Sequence, residues 1–396
     1  MKGEVVSLTI GDEESVSSYF GDNMNMLVVG PPGCGKTFSV VSPNIVNNNG
    51  CSMFIDDKKG NLYHKHKEEL KASGYLVLCF NLINFYGDMH YNPLESIKCR
   101  DDIFKFANIL IPEEKTASDP FWVDSARELL IIIVEILLND EKTVNLKSVI
   151  ELLHKTQFRV DRSRRKMKDE VDKIIDRHRA EGKSYVSMDR YSSFKECAED
   201  TWNCIRRACI SALSAYDSDR LYSITDKNTF DITKMGMEKV ALFVTSSDTN
   251  GAFDAIVQLM YREFSEKLIE YADIDRVDYG SMLQQHVRFI LDDFASGVRM
   301  KGFEKVIANC RSRNISFVIC IQSLSQLQGL YGEMSNSILD CINYRIYFST
   351  TNLSTQNYLS TIMDIPLSDV QNMQPDEIVI EQKNRSPRFG RRYSFR

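Results

Sequence analysis

Over the first hundred residues, short apolar runs alternate with stretches of helical character. MLVVG (26–30), CSMFIDD (51–57) and YLVLCF (75–80) read as strands. Between the last two, LYHKHKEELKAS (62–73) suits an exposed helix. This alternation predicts a parallel sheet covered by helices on both faces. From about 101 to 230 strand-like runs nearly vanish. Apolar residues there recur at helical spacing, as Ile103, Phe106, Ala107 and Leu110 and then Trp122, Ala126, Leu129 and Leu130. Strands return at KVALFVTSS (239–247), HVRFILDD (286–293), ISFVICIQS (315–323), YRIYFST (344–350) and EIVIE (377–381). The expectation is one α/β domain made of 1–100 and 231–396 with a mostly parallel sheet, interrupted by an all-α domain at 101–230.

The most apolar stretch, LLIIIVEILL (129–138), is shorter than the roughly 20 residues of a membrane span and contains Glu135. It is expected to be a buried core helix. MKGEVVSLTIGDEE lacks the apolar region of a signal peptide. The expectation is a cytoplasmic chain with no membrane span of its own.

Composition narrows the picture little. Among 396 residues, 43% apolar and 26% charged content fit a globular protein, and a net charge of −6 gives no global case for nucleic acid. A nucleic-acid partner would have to meet a local patch. Ten cysteines without CxxC spacing argue against a zinc ribbon or redox motif and read as reduced thiols.

The first chemistry is in GPPGCGKT (30–37), which matches G-x-x-x-x-G-K-[ST] between a strand and a helix. In such a loop the backbone of Gly30, Pro31, Pro32, Gly33, Cys34 and Gly35 turns around phosphate oxygens. Lys36 neutralises the β- and γ-phosphates, and Thr37 offers its hydroxyl to Mg²⁺. A phosphate loop of this kind calls for an apolar strand ending in Asp. Two candidates exist, FILDD (289–293) and MFIDD (53–57). FILDD is favoured because it lies in the second half of the sheet and a strand ending in a polar residue follows it. On that basis Asp292 is the expected Mg²⁺ ligand, and Asp293 the carboxylate that orients or deprotonates the attacking water. Gln322, ending SFVICIQ, is either a sensor of the γ-phosphate or a strand-end cap. Arg311 and Arg313, in CRSRN, are candidates for the arginine that stabilises the transferring phosphoryl group, often from a neighbouring subunit.

Together these residues resemble the coupling ATPases of conjugative type IV secretion systems, of the TraG/TraD type, over nearly the whole chain. NMLVVGPPGCGKT followed by SPNI resembles the family's phosphate-loop region. SMFIDDKKGNLY resembles its next strand, usually Asp-Pro-Lys-Gly-Glu, with Lys58 in place of the Pro and Asn61 in place of the Glu. YNPLESI (91–97) and SDPFWVDSARELL (118–130) are similar to its Asn-Pro-Leu element and to the entry of its all-α domain. FILDDFASG and GFEKVIANCRSRNISFVICIQSLSQLQGLYG (302–332) form the most specific block, and the Asp-Asp form looks like the branch on mobile elements of Gram-positive bacteria. The resemblance implies a RecA-like P-loop NTPase fold, ATP and Mg²⁺, and a homo-hexameric ring with a site at the subunit interface, where Arg311 matches the family arginine better than Arg313. It also implies delivery of DNA with its bound relaxase to the secretion channel. Family members usually open with a membrane-spanning segment, whereas this chain opens directly on the sheet. The expectation is therefore either a soluble form recruited to the inner face of the membrane through partners, or a chain shortened at its start. A coupling-type ATPase for protein cargo, and a nucleotide-binding docking module with little hydrolysis, are the competing readings.

Two basic stretches bear on DNA. Residues 155–183 hold eleven Lys/Arg against six Asp/Glu, densest at RSRRKMK. They read as a solvated helix surface or as a phosphate-contacting one. The tail KNRSPRFGRRYSFR carries six basic and no acidic residues with aromatics interleaved, which suits single-stranded DNA or a disordered solvated tail.

Overall fold

The computed structural model describes residues 6–11, 14–18, 22–47, 50–112, 120–140, 143–156, 167–294 and 300–394. They fall into two compact units. One comprises Met1–Asn84, Asp231–Asp254 and Tyr261–Arg396, the other Phe85–Phe230 with Ala255–Met260. The helical unit thus begins at Phe85 rather than 101. The irregular segment ahead of its first helix is tied to later parts of that unit. Tyr91 N donates to Ile224 O (2.9 Å) and Asn92 Nδ2 to Val144 O (2.8 Å). Apolar periodicity does not report on such loop anchoring.

In the α/β unit, β1 (Val6–Gly11) and β2 (Glu14–Ser18) pair as an antiparallel hairpin. The main sheet contains β3 (Met26–Val29), β4 (Cys51–Lys58), β5 (Leu76–Asn81), β6 (Val240–Ser246) and β7 (His286–Leu291). It is completed by β8 (Ile315–Ile321), β9 (Tyr344–Phe348), β10 (Glu377–Gln382) and β11 (Arg388–Arg391). The nine strands run in the order β11-β10-β9-β3-β8-β7-β4-β6-β5. From β9 to β5 all pairings are parallel, and β10 and β11 add an antiparallel edge. The inner parallel strands are buried on both faces, which is why they read as continuous apolar runs, while β5 at the edge exposes Leu76.

One face packs Met26, Val28, Met53, Ile55, Phe243, Ile290, Val318 and Ile346 against Val40, Val41 and Ile45 of the segment after the phosphate loop. The helix Asn61–Ala72 adds Leu62 and Leu70 to this core, and β1 adds Leu8 and Ile10. The other face carries an aromatic ladder. Phe54, Phe289 and Phe317 are register partners on β4, β7 and β8, with ring centroids 5.2 and 4.9 Å apart. Phe264, from the helix Asp254–Ile274, packs edge-on to Phe54, and Phe303, from the helix Phe303–Cys310, edge-on to Phe317.

The tail is not a solvated coil through its described length. Residues 388–391 form β11, with Phe389 opposite Val379. β11 does not stand out in the hydrophobic pattern, whereas β1 does, as the alternation Val6, Leu8, Ile10 with Ser7 and Thr9 between them. RFGR has one apolar residue, and its pairing supplies the order that composition does not.

The helical unit is organised by Pro120–Asp140, whose residues Leu129–Val134 are all buried. A helix apolar on every side must be covered on every side, and neighbours such as Val186–Phe194 and Glu199–Leu213 do this. Trp202 is fully buried against Tyr191 and Phe194. Among the described residues, no helix is long and apolar enough to cross a membrane.

Candidate functional site

The site sits at the carboxyl end of β3, between β8 and β9, where an open parallel sheet offers a crevice. The chain leaves β3 through Gly30, whose amide donates to Ile321 O of β8 (3.1 Å). A Cβ on Gly30 would lie 2.6 Å from Cys34 Sγ and 2.9 Å from Phe348 Cβ, so the loop closes only over glycine. Lys36 Nζ donates to the loop carbonyls of Gly30 (2.6 Å) and Pro31 (3.2 Å), which holds the ammonium inside the turn. The helix that follows opens with a π-helical run, Thr37–Val41, before Ser42–Val46 becomes α-helical. Pro43 has no amide hydrogen to donate to Ser39 O, which removes one α-helical bond at this point.

β7 brings the acidic pair to the loop. Thr37 Oγ1 donates to Asp292 Oδ2 at 2.6 Å. Burial raises the Asp292 carboxyl above the usual range, the Thr37 hydrogen bond and Lys36 oppose this, and Asp293 adds repulsion. Asp293 follows at φ 61, an uncommon backbone state for a residue with a side chain, and its Oδ1 accepts from Gln322 Nε2 (3.3 Å). The structure therefore brings together Gly33, Gly35, Lys36, Thr37, Asp292, Asp293 and Gln322 around one cavity of about 480 Å³, with Pro32 on its wall.

The competing pair, MFIDD, ends on β4 beside β7 and serves otherwise. Asp57 accepts the amides of Leu62 (3.1 Å) and Tyr63 (2.8 Å), so it caps the helix Asn61–Ala72 while touching the cavity wall. Asp56 is buried, and burial pushes its carboxyl up to about 7.

Lys58, Lys59, Asn61 and Asp248 also line the cavity and stood outside the candidate set. Lys59 Nζ pairs with Asp248 at 2.8 Å, and Lys58 Nζ donates to Ser246 Oγ at 3.0 Å. The usable signal was DDKKG closing a strand: once β4 is placed beside β7, that run must end at the same edge as FILDD.

Arg311 and Arg313 do not join this cavity. They precede β8, at the amino edge of the sheet opposite the phosphate loop. Arg313 is engaged there by Asp273 in a two-pronged ion pair (2.9 and 3.0 Å). Of the basic stretch 155–183, residues 157–166 lie outside the described residues. Lys168, Lys173, Arg177, Arg179 and Lys183 each pair with a carboxylate of the helical unit.

The donor set suits a magnesium nucleotide. A hydroxyl and a carboxylate in contact are all-oxygen ligands, and Mg²⁺ takes one or two carboxylates alongside phosphate oxygens and water. A cation would also offset the burial that now raises Asp292.

A mostly parallel RecA-like sheet, a phosphate loop after a central strand and an acidic strand end in contact with it define the P-loop NTPase fold. The family model described as "Type IV secretory system Conjugative DNA transfer" matches residues 2–363, and the chain belongs to that family. Protein VirD4 of Rhizobium radiobacter is 22% identical over 353 residues, covering 86% of this chain and 48% of that protein. Protein VirD4 of Agrobacterium fabrum is 21% identical over 375 residues, covering 91% and 52%. The chain thus spans about half the length of these relatives. Among solved structures, the plasmid coupling protein TrwB in complex with ADP and Mg²⁺ superposes with a TM-score of 0.64 at 14% identity, covering 94% of this chain and 85% of that one. The conjugative coupling protein TrwBdeltaN70 in complex with sulphate gives 0.67 at 13%, covering 99% and 94%.

Proposed function

We propose that this chain binds ATP with Mg²⁺ in the cavity at the end of β3 and hydrolyses it to drive DNA, with its bound relaxase, to a type IV secretion channel. The observation that carries the ATP part is the 2.6 Å contact between Thr37 and Asp292, which joins the phosphate loop to the acidic strand end. The cargo part rests on the family.

In this reading the loop amides and Lys36 hold the phosphates. Thr37 and Asp292 would hold Mg²⁺, which when bound would neutralise charge on the phosphates. Asp293, aligned by Gln322, accepts a proton from the attacking water or orients it. Asp is one methylene shorter than Glu, so the water sits closer to the strand end or is reached through a second water. Arg311, at the far edge of the sheet, reaches a site only on a neighbouring subunit, which fits a hexameric ring with shared sites. TrwB crystallised with ADP and Mg²⁺ supports the ligand assignment.

The test is ATPase activity of the purified chain across protein concentration, with and without single- and double-stranded DNA. Turnover per subunit is expected to rise with concentration and with DNA. Stimulation by protein cargo alone would replace DNA with protein as the substrate moved. Nucleotide binding without turnover in any assembly would make the chain a docking module instead.

A further inference from the structure

By composition the C-terminal tail suits either single-stranded DNA or a solvated coil, yet its described part is built into the sheet and ends on the phosphate loop. β11 pairs with β10, and just beyond it the Arg392 amide donates to Asp376 O (2.9 Å), which fixes where the chain leaves the sheet. From there Arg392 Nη1 donates to Cys34 O at 3.1 Å, across 358 residues of sequence. Tyr393 Oη accepts from Asn47 Nδ2 (3.4 Å) at the far end of the helix that follows the loop. The guanidinium also covers Gly35. A Cβ there would come within 3.1 Å of Nη1, and Gly35 sits at φ +96, a conformation that only glycine adopts without strain.

Cys34 and Gly35 lie in the part of the loop that must point amides inward. Fastening the Cys34 carbonyl to a cation on the outside favours that orientation of the peptide. The same cation adds positive charge beside the loop where phosphate charge collects, and a guanidinium presents five N–H donors, so one bond to Cys34 does not exhaust it.

We infer that Arg392 is a positioning residue of the nucleotide site: it holds Cys34–Gly35 in the phosphate-binding turn and raises nucleotide affinity, so that the C-terminal strand serves the phosphate loop. The inference rests on the reading of the cavity as an ATP site. The arginine comes from the same subunit and acts on binding, which separates it from Arg311, proposed to act across an interface on turnover.

The experiment uses the full chain with a fluorescent ADP analogue and Mg²⁺, comparing wild type, Arg392→Ala, Arg392→Lys and Arg388→Ala. Removing a charged hydrogen bond, about 1.5 kcal/mol or somewhat more, predicts about a tenfold rise in Kd for Arg392→Ala. Arg392→Lys is expected to recover part of the affinity and Arg388→Ala to match wild type, while Arg392→Ala melts at most a few degrees lower for the lost hydrogen bond. Where turnover is measurable, KM rises in Arg392→Ala while kcat at saturating ATP stays within about twofold. Unchanged Kd in Arg392→Ala, with or without a loss of DNA binding, overturns the inference. So does an equal loss in Arg388→Ala, which would make the effect one of tail charge, or a Tm drop shared by Arg392→Ala and Arg392→Lys, which would make it structural. A wild-type chain that binds no ADP overturns the site reading itself, a result distinct from these.

Discussion

Asp56 offers a measurement of what it costs to bury a carboxylate at this sheet edge. It is 3% exposed at the end of β4, and its Oδ1 has no hydrogen-bond partner among the described residues. Burial raises its carboxyl to about 7, Lys58 opposes, and Asp292 and Asp57 add repulsion. The folded state therefore holds the proton more tightly than the unfolded chain. Stability from this group is fully present below the ordinary value of 3.8 and is lost as pH rises through about 7. At about 1.4 kcal/mol per pH unit the whole loss is about 4 kcal/mol, and most of it, about 3 kcal/mol, falls between pH 5 and 8. Asp56→Asn keeps the shape and abolishes the titration. Its advantage over wild type is expected to grow by about 3 kcal/mol from pH 5 to pH 8. Buried His286, pushed down to about 3 by desolvation, acts in the opposite sense at lower pH, but it is common to both proteins and cancels in the comparison. The assay is urea unfolding by far-ultraviolet circular dichroism, since both tryptophans, Trp122 and Trp202, lie in the helical unit. An advantage that stays constant with pH would show that Asp56 is not the group whose proton is linked to folding.

Four further outcomes follow from the structure. Asp293→Asn is expected to lower ATP turnover at least about a hundredfold while ADP still binds; near-normal turnover would reduce the second aspartate to a strand-end charge. Because burial raises Asp292, Mg²⁺ has to displace a proton population that grows as pH falls, so Mg²⁺-dependent ADP affinity should weaken toward acid pH more in wild type than in Asp292→Asn, and equal profiles would detach Asp292 from the metal. Arg313, held by Asp273 at a half-exposed site, should cost at most about 1 kcal/mol of stability on change to Ala and leave turnover unaltered. Arg311→Ala should abolish turnover and regain part of it when mixed with Lys36→Ala subunits; a mixture as inactive as its components would deny a shared site.

Where the chemistry is written in consecutive residues, the chain can be read directly. GPPGCGKT between MLVV and a helix carries its geometry in local backbone preferences, and the buried parallel strands announce themselves as unbroken apolar runs. The polar pattern of Asp residues after a strand is weaker evidence, because FILDD and MFIDD look alike. Strand order separates them: β7 lies next to β8, itself next to β3, and Thr37 contacts Asp292, while Asp57 turns to the amides of a helix. Edge elements such as β11 carry little apolar signal and are ordered by pairing alone.

By itself, then, the sequence determined the alternation of strand and helix, the phosphate loop and the long-range likeness to the conjugative DNA transfer family, since periodicity and motif depend on neighbours along the chain. Only the tertiary structure decided which carboxylate meets Thr37, that Lys59 and Asp248 share the cavity, that Arg311 and Arg313 stand at the opposite edge, and that Arg392 reaches Cys34. Those facts depend on which strands lie side by side, a choice made by packing two faces of one sheet that no local pattern records.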